Sequence, residues 1–576
     1  MRSLYLTLLI ALGGVLLTTC NSRSERPPAY TAARVSTSNC TPATNDLDWY
    51  TSGQKAPLFE DMGNLQFPIT SKNPLTRRYV TQGLVLAYGF NHAEAARSFY
   101  HATQLEPDCA MAHWGYAYVL GPNYNAGMEP DNYPRAYEAA QKALALAENG
   151  VAPWEKSLIT ALSKRYAAQA PEDRSALDQD YAEAMREAYA DHPDNADVGT
   201  LFVESLMDLH PWDLWDKEGQ TRPWTPEIIT NLDKILAMDP DHAGAHHLYI
   251  HAIEASHTPE KGLPSARRLD EGLVPGAGHL VHMPSHIYIR TGDYHAGSLA
   301  NIAAVKVDSS YITACRAQGA YPLIYHPHNY HFLAATATLE GKSEWAIDAA
   351  KRIARHADND LIGVPALGLL QHFYTIPDYV LVKFGRWDEI LNALDGRRDL
   401  TYPKVIRSYA RGMAHLGKQD IDRAREELLQ LRSFAADPSL DSLAIGVNMA
   451  RSVCDIAEDV LAGEIAASEG RYDDAIRLLQ DAIEVEDALA YMEPPDWFFS
   501  VRHHLGAVLL ESGRFAEAIP VYEEDLLTYP KNGWALHGLR AAYKGLSDEK
   551  MEATVADRLE GAWATADVDL NSSRIK

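Results

Sequence analysis

The chain reads as an all-α protein, a right-handed α-solenoid of stacked helix pairs, and three observations lead there. From about Leu75 to Trp563 short amphipathic segments recur in twos, with a glycine or small break inside each pair and often a proline after it. No stretch alternates apolar and polar residues as a half-buried strand would. No glycine-rich phosphate loop or strand-helix-strand signal interrupts the run. Residues 75–563 are therefore assigned to one repeat array, although 576 residues would otherwise imply several globular domains.

Residues 1–20 carry an early positive charge at Arg2, an apolar run from Leu4 to Leu17 and then Cys20, the pattern of an export signal. The run is too short for a stop-transfer helix. Leu17-Thr18-Thr19-Cys20 resembles a bacterial lipobox, with Thr19 where Gly, Ala or Ser is usual. That resemblance implies lipidation at Cys20 and an exported lipoprotein facing the periplasm or cell exterior, touching membrane only through its anchor. The alternative is an ordinary secretory signal cleaved nearby. Residues 21–74 form a tether, rich in Ser, Thr, Arg, Pro and Asn up to about Asn45, and an N-terminal cap. Residues 564–576 are a C-terminal tail.

With 52 basic against 78 acidic residues the net charge is −26, which excludes nucleic acid as the main partner. Cys40, Cys109, Cys315 and Cys454 are widely spaced and form no Cys-x2-Cys pair, so thiolate zinc is not expected, while one disulfide is open in an oxidising compartment.

Within the array the clearest units carry Gly83, Ala95, Phe99, Ala102 and Pro107, and Leu505, Gly506, Gly513, Phe515, Ala518, Tyr522 and Pro530. Both resemble the tetratricopeptide repeat, a helix-turn-helix of about 34 residues, and that period gives about ten to twelve pairs. Turns are expected at Gly292-Asp293-Tyr294, Gly341-Lys342-Ser343, Gly385-Arg386-Trp387, Gly417-Lys418-Gln419 and Gly470-Arg471-Tyr472.

Between Asp241 and Phe332 lie twelve of the 23 histidines, nine of them in three groups: His246, His247 and His251; His279, His282 and His286; His326, His328 and His331. In the repeat that the chain resembles, positions 2, 5, 9 and 12 of the first helix line a concave face. Registers counted from Pro240, Gly292 and Gly341 put His247, His251 and Glu254 at 5, 9 and 12, His279, His282 and His286 at 2, 5 and 9, and His328 and His331 at 2 and 5. Spacings of three and four keep each helical group on one stripe. Pro284 starts a helix near Met283, so His279 and His282 are expected on a loop.

Nitrogen-rich donors with one carboxylate suit Zn or Cu and not Mg or Ca. The metal residues are thus His247, His251, Glu254, His279, His282, His286, His328 and His331, in the region 242–331. Six or more imidazoles exceed one tetrahedral zinc, so two ions are conceivable; such a site either activates water for hydrolysis or handles oxygen as a copper oxidase does. His246 and His326, off the register, and Glu204 and Asp208 on an earlier helix are expected to support the ligands from behind. Lys404, Arg407 and Arg411, continued by His372, form a cationic stripe able to bind a small anionic ligand. Pro211–Trp215 and Pro494–Phe498 either wall the groove or pack between repeats.

The strings beginning at His246 and His279 are similar to a group of exported bacterial tetratricopeptide-repeat proteins with a His-rich central motif. That resemblance implies the fold and names no activity. Three functions stay open: a metalloenzyme acting on a small or peptide-like anionic substrate, a metal-free scaffold holding a protein or peptide in its groove, and non-catalytic copper handling.

Overall fold

The computed structural model of the chain describes residues 47–315, 321–394, 396, 397 and 399–576, with no side chains for 313–315. The export signal, Cys20 and the tether to Asn45 lie outside the described residues. Everything below belongs to the unit Ala32–Lys576. The described residues form no strand, only three isolated bridges, and no described helix is long and apolar enough to cross a membrane.

Among the described residues twelve helix pairs follow one another, from Pro74–Tyr88 with His92–Leu105 to Gly533–Gly545 with Glu549–Ala562. They are tetratricopeptide-like hairpins, as the repeat pattern predicts. Local chemistry sets their ends. Asn73 accepts from the amide of Leu75 ahead of Pro74, whose missing N–H costs nothing at the first helical position. Gly292 closes Pro284–Thr291 at φ 81°, a left-handed conformation that a side chain resists. At Gly417-Lys418-Gln419 the positive φ of 61° falls instead on Gln419. Gly417 is still helical, and its lack of a side chain serves packing, because a Cβ there would lie 2.3 Å from the Trp387 ring.

Small residues let helices close on large ones. Phe99, fully buried, fits between Gly83 and Gly115, where added Cβ atoms would stand 2.7 and 2.1 Å from its ring. Gly115→Ala is therefore expected to destabilise the first two pairs by about 1–3 kcal/mol through overpacking. A lowered urea midpoint with unchanged m-value would register it; an unchanged midpoint would contradict the close fit.

The array does not leave the first helices facing an open groove, which corrects the expected concave face. His247, His251, His279, His282 and His286 are each at most 2 % exposed. Distant segments close over this region: the turn at Phe90 meets His247 and Trp212 meets His251, while Tyr491 lies on Arg290 and Phe498 on the neighbouring His331. The amide of Gly276 donates to the carbonyl of Asp61, tying the cap to the approach of the histidine helices. Near the end, Trp534 Nε1 donates to Thr338 O at 2.9 Å, and the amide of Ser343 to Asp567 at 2.8 Å. Such long-range docking needs contacts that a nearest-neighbour repeat pattern does not encode. The tail is docked too: Ser573 is buried, and Arg574 is paired with Glu464 and Glu511. Cys109 and Cys454 are free and buried, so the described residues contain no disulfide between them.

Candidate metal centre

Four short elements bring the histidines together. Ala243–Glu254 presents His247, His251 and Glu254 along one stripe. Gly278–His282 is a single helical turn, not the expected loop, and carries His279 and His282; it ends at Met283 because Pro284 opens the next helix. Pro284–Thr291 supplies His286, and His326–Leu339 supplies His328.

Two triads result. Ring nitrogens of His247, His251 and His279 lie within 4.8 Å of one another, as do those of His282, His286 and His328. The triads abut, with the His251 and His286 rings 5.4 Å apart and those of His279 and His282 5.5 Å apart.

The hydrogen bonding of the rings is one-sided. On their Nδ1 edges, His247 meets the carbonyl of Tyr88, His251 meets Glu254 Oε1 at 2.7 Å, His286 meets Glu254 Oε2 at 2.5 Å, and His282 meets Asn301 Oδ1 at 2.7 Å. Asn301 Nδ2 donates to Gly297 O, which turns its oxygen toward His282. Carboxylate, carbonyl and amide oxygens accept, so each of these four Nδ1 atoms carries the proton and each Nε2 a lone pair. The Nε2 atoms of His247 and His251 are buried without partner, as are both nitrogens of His279. His282 Nε2 and His286 Nε2 face each other at 2.9 Å. Two lone pairs at that separation repel unless a cation stands beside them. Outer acceptors on Nδ1 and bare inner Nε2 atoms are the arrangement of metal-ligating histidines.

Burial keeps these rings in their ligand form. It pushes His247, His279, His282 and His328 well below the ordinary imidazole range, with the neighbouring imidazoles adding to the effect. His251 is lowered by the same cause. Burial would raise Glu254, yet His286 and His251 outweigh it and hold the carboxyl at about 2. Glu254 is thus an ionised strap between the triads. Its two oxygens meet two Nδ1 atoms, and Glu254, His251 and His286 form a third group whose donor atoms lie within 4.8 Å of one another, so Glu254 keeps its expected place among the candidate ligands. Arg290 Nη1 donates to its backbone oxygen at 2.8 Å.

Aromatic rings enclose the donors: Phe90 stands 4.5 Å from His247, Trp212 5.6 Å from His251, Tyr325 5.1 Å from His279 and Phe332 4.4 Å from His286. Beside His279 a cavity of 20 Å³, lined by Phe59, Asn91, Asp308, Tyr311 and Tyr321 among others, has room for one water-sized molecule. Gly278 makes space for the buried Asp308, whose Oδ1 would lie 1.8 Å from a Cβ there.

Other expected residues stand elsewhere. His331 lies outside both triads, beside His372. His246 is bonded at both nitrogens, to Ser265 and Pro240, and His326 lies 3.7 Å from Asp308. Glu204 accepts from Tyr118, and Asp208 pairs with Arg165 at 2.7 Å, so neither is bonded to a triad histidine. The cationic stripe does not converge: Arg407 pairs with Asp378 at 2.6 Å, Arg411 with Glu427 at 2.7 Å, and Lys404 covers the Phe434 ring. Tyr88, Asn301 and Phe90 serve the site with no warning in the sequence. Of the two aromatic segments, one walls the triads, with Trp212 at His251, while Phe498 of the other stacks at 4.9 Å on His331, outside them.

The covering stretch before Arg502 is held by Glu486, which accepts from the amide of Val501 at 3.1 Å. Burial raises its carboxyl from 4.5 to about 8, against the pull of Arg502. A carboxyl raised on folding contributes stability that is full below its unfolded pKa and is lost as pH rises through about 8. Glu486→Gln keeps the neutral form, so its Tm is expected to exceed the parent's at about pH 9 and to match it at about pH 5. An equal offset at both would exclude this titration.

No family model matches the chain, and no curated protein does. Among solved structures it is similar to the human IFIT1 dimer with m7Gppp-AAAA, at 11% identity over 87% of this chain and 92% of that one, TM-score 0.31. Yeast Tom70 is 13% identical over 84% and 92%, TM-score 0.25. Naa15/Naa10 bound to HypK-THB is 11% identical over 85% and 70%, TM-score 0.21.

Proposed function

We propose that this chain is an exported, lipid-anchored dinuclear copper protein that reacts with dioxygen in its buried histidine centre. The observation that carries the reading is the set of inward Nε2 lone pairs, fixed from behind on Nδ1 and left bare inside. Three imidazoles and an open position also suit zinc. Charge favours copper. Imidazole ligands carry no charge, and among the described residues Glu254 is the one carboxylate bonded to them, so a pair of dications would be poorly compensated in an aromatic interior, whereas two Cu(I) ions halve that burden.

Copper held in the two triads would supply the electrons for the reduction of dioxygen. The six histidines hold the ions, Glu254 aligns one ring of each triad, and Phe90, Trp212 and Phe332 keep water out. The cavity at His279 fits a diatomic molecule and no peptide. Arg407 and Arg411 are paired with carboxylates, which favours a small, uncharged reactant over an anionic one.

The test is metal analysis of the purified protein, followed by anaerobic Cu(I) loading and admission of dioxygen. Copper in the triads, with one dioxygen consumed per pair as Cu(II) forms, is the expected result. Zinc held firmly without dioxygen uptake would favour hydrolysis, copper held without uptake would leave copper handling, and no metal at all would defeat the reading.

A further inference from the structure

Beyond the two triads, one more pair of imidazoles is buried and bare. His331 follows His328 by three residues on His326–Leu339, and His372 lies on Gly368–Lys383. Their rings are 5.8 Å apart at 67°, and the Nε2 of each has no partner. Both residues are at most 4 % exposed. His372 Nδ1 lies 2.9 Å from the hydroxyl of Tyr402. If the imidazole donates there, Nε2 keeps a lone pair directed into the interior.

We propose that His331 and His372 hold one Cu(I) ion, a third position one helical turn from the second triad. An ion bound at about 2.0 Å by two imidazoles sets their nitrogens about 4 Å apart, which rings at this separation accommodate. The surroundings choose the ion. Phe498 stacks on His331 at 4.9 Å, Phe373 meets it edge-on at 5.6 Å, and neither imidazole is paired with a carboxylate among the described residues. A dication seeking four ligands finds two donors and no counter-charge. Monovalent, two-coordinate copper needs no more than the pair offers. His331 and His328 share a helix face, so the third position stands beside the second triad.

The test is anaerobic titration of the full chain with Cu(I) against a competing chelator. Three equivalents are expected for the parent and two for His331→Ala/His372→Ala. Should that variant fail to fold, the milder His372→Gln is expected to lose the same single equivalent. Tyr402→Phe removes the group that orients His372 and is expected to weaken that one ion about 10- to 100-fold while sparing the others. Two equivalents in the parent, or three in the double variant, would overturn the proposal and leave the dinuclear reading intact. One equivalent in the parent, lost in the double variant, would uphold it while the dinuclear reading falls; none would end both.

Discussion

Alanine at His247 is expected to strip the first triad of its ion and leave the second loaded, and alanine at His328 to do the reverse. Each triad offers three imidazoles, and losing one removes roughly a third of the binding free energy. On the scale of protein metal sites that is about 3 kcal/mol or more, two to three orders of magnitude in affinity. These two positions isolate the effect. The outer partner of His247 is a backbone carbonyl, which cannot swing in as a substitute ligand. His286 is a poorer choice, since its loss frees Glu254 Oε2, and Glu254, His251 and His286 themselves lie close enough to share an ion. Metal counts on dialysed protein check the prediction. Undiminished binding in both variants would place the metal elsewhere. Removing the His247 ring also leaves the buried Tyr88 carbonyl unpaired, at about 1–3 kcal/mol, so thermal melts of the metal-free forms belong beside the counts.

The donors were legible in the sequence because helical spacing is local. His247, His251 and Glu254 share a stripe whatever packs against it, and the break at Pro284 could be read from one residue. The hairpins were legible for the same reason, from turns such as Gly292 and close-packing positions such as Gly83. What could not be read depends on chain brought from afar. Tyr88, 159 residues before His247, orients it with a main-chain oxygen, a group every residue carries. The histidine face became an interior because Phe90 and Trp212 fold over it, although Trp residues in such segments more often pack between repeats. Arg407 and Arg411 looked free on their own helix; Asp378 and Glu427, which neutralise them, come from the helices on either side.

Glu254 couples the triads, and its isostere is expected to break that coupling unequally. As a carboxylate it accepts from His251 Nδ1 and His286 Nδ1 at once, leaving both Nε2 atoms basic. Glutamine offers one oxygen and one NH2 group. Whichever imidazole meets the NH2 must accept at Nδ1, so its proton moves to Nε2 and it stops being a ligand. Glu254→Gln is therefore expected to weaken one ion about 10- to 100-fold and the other much less, and to remove the negative charge that both triads share. Glu254→Asp tests reach instead of charge: a carboxylate one methylene shorter can serve one imidazole and not both. Competitive chelator titrations on the two variants separate the cases. Equal weakening of both ions by glutamine would mean that charge alone matters. Unchanged affinities in both variants would mean that Glu254 serves packing, and that the histidines keep their tautomers without it.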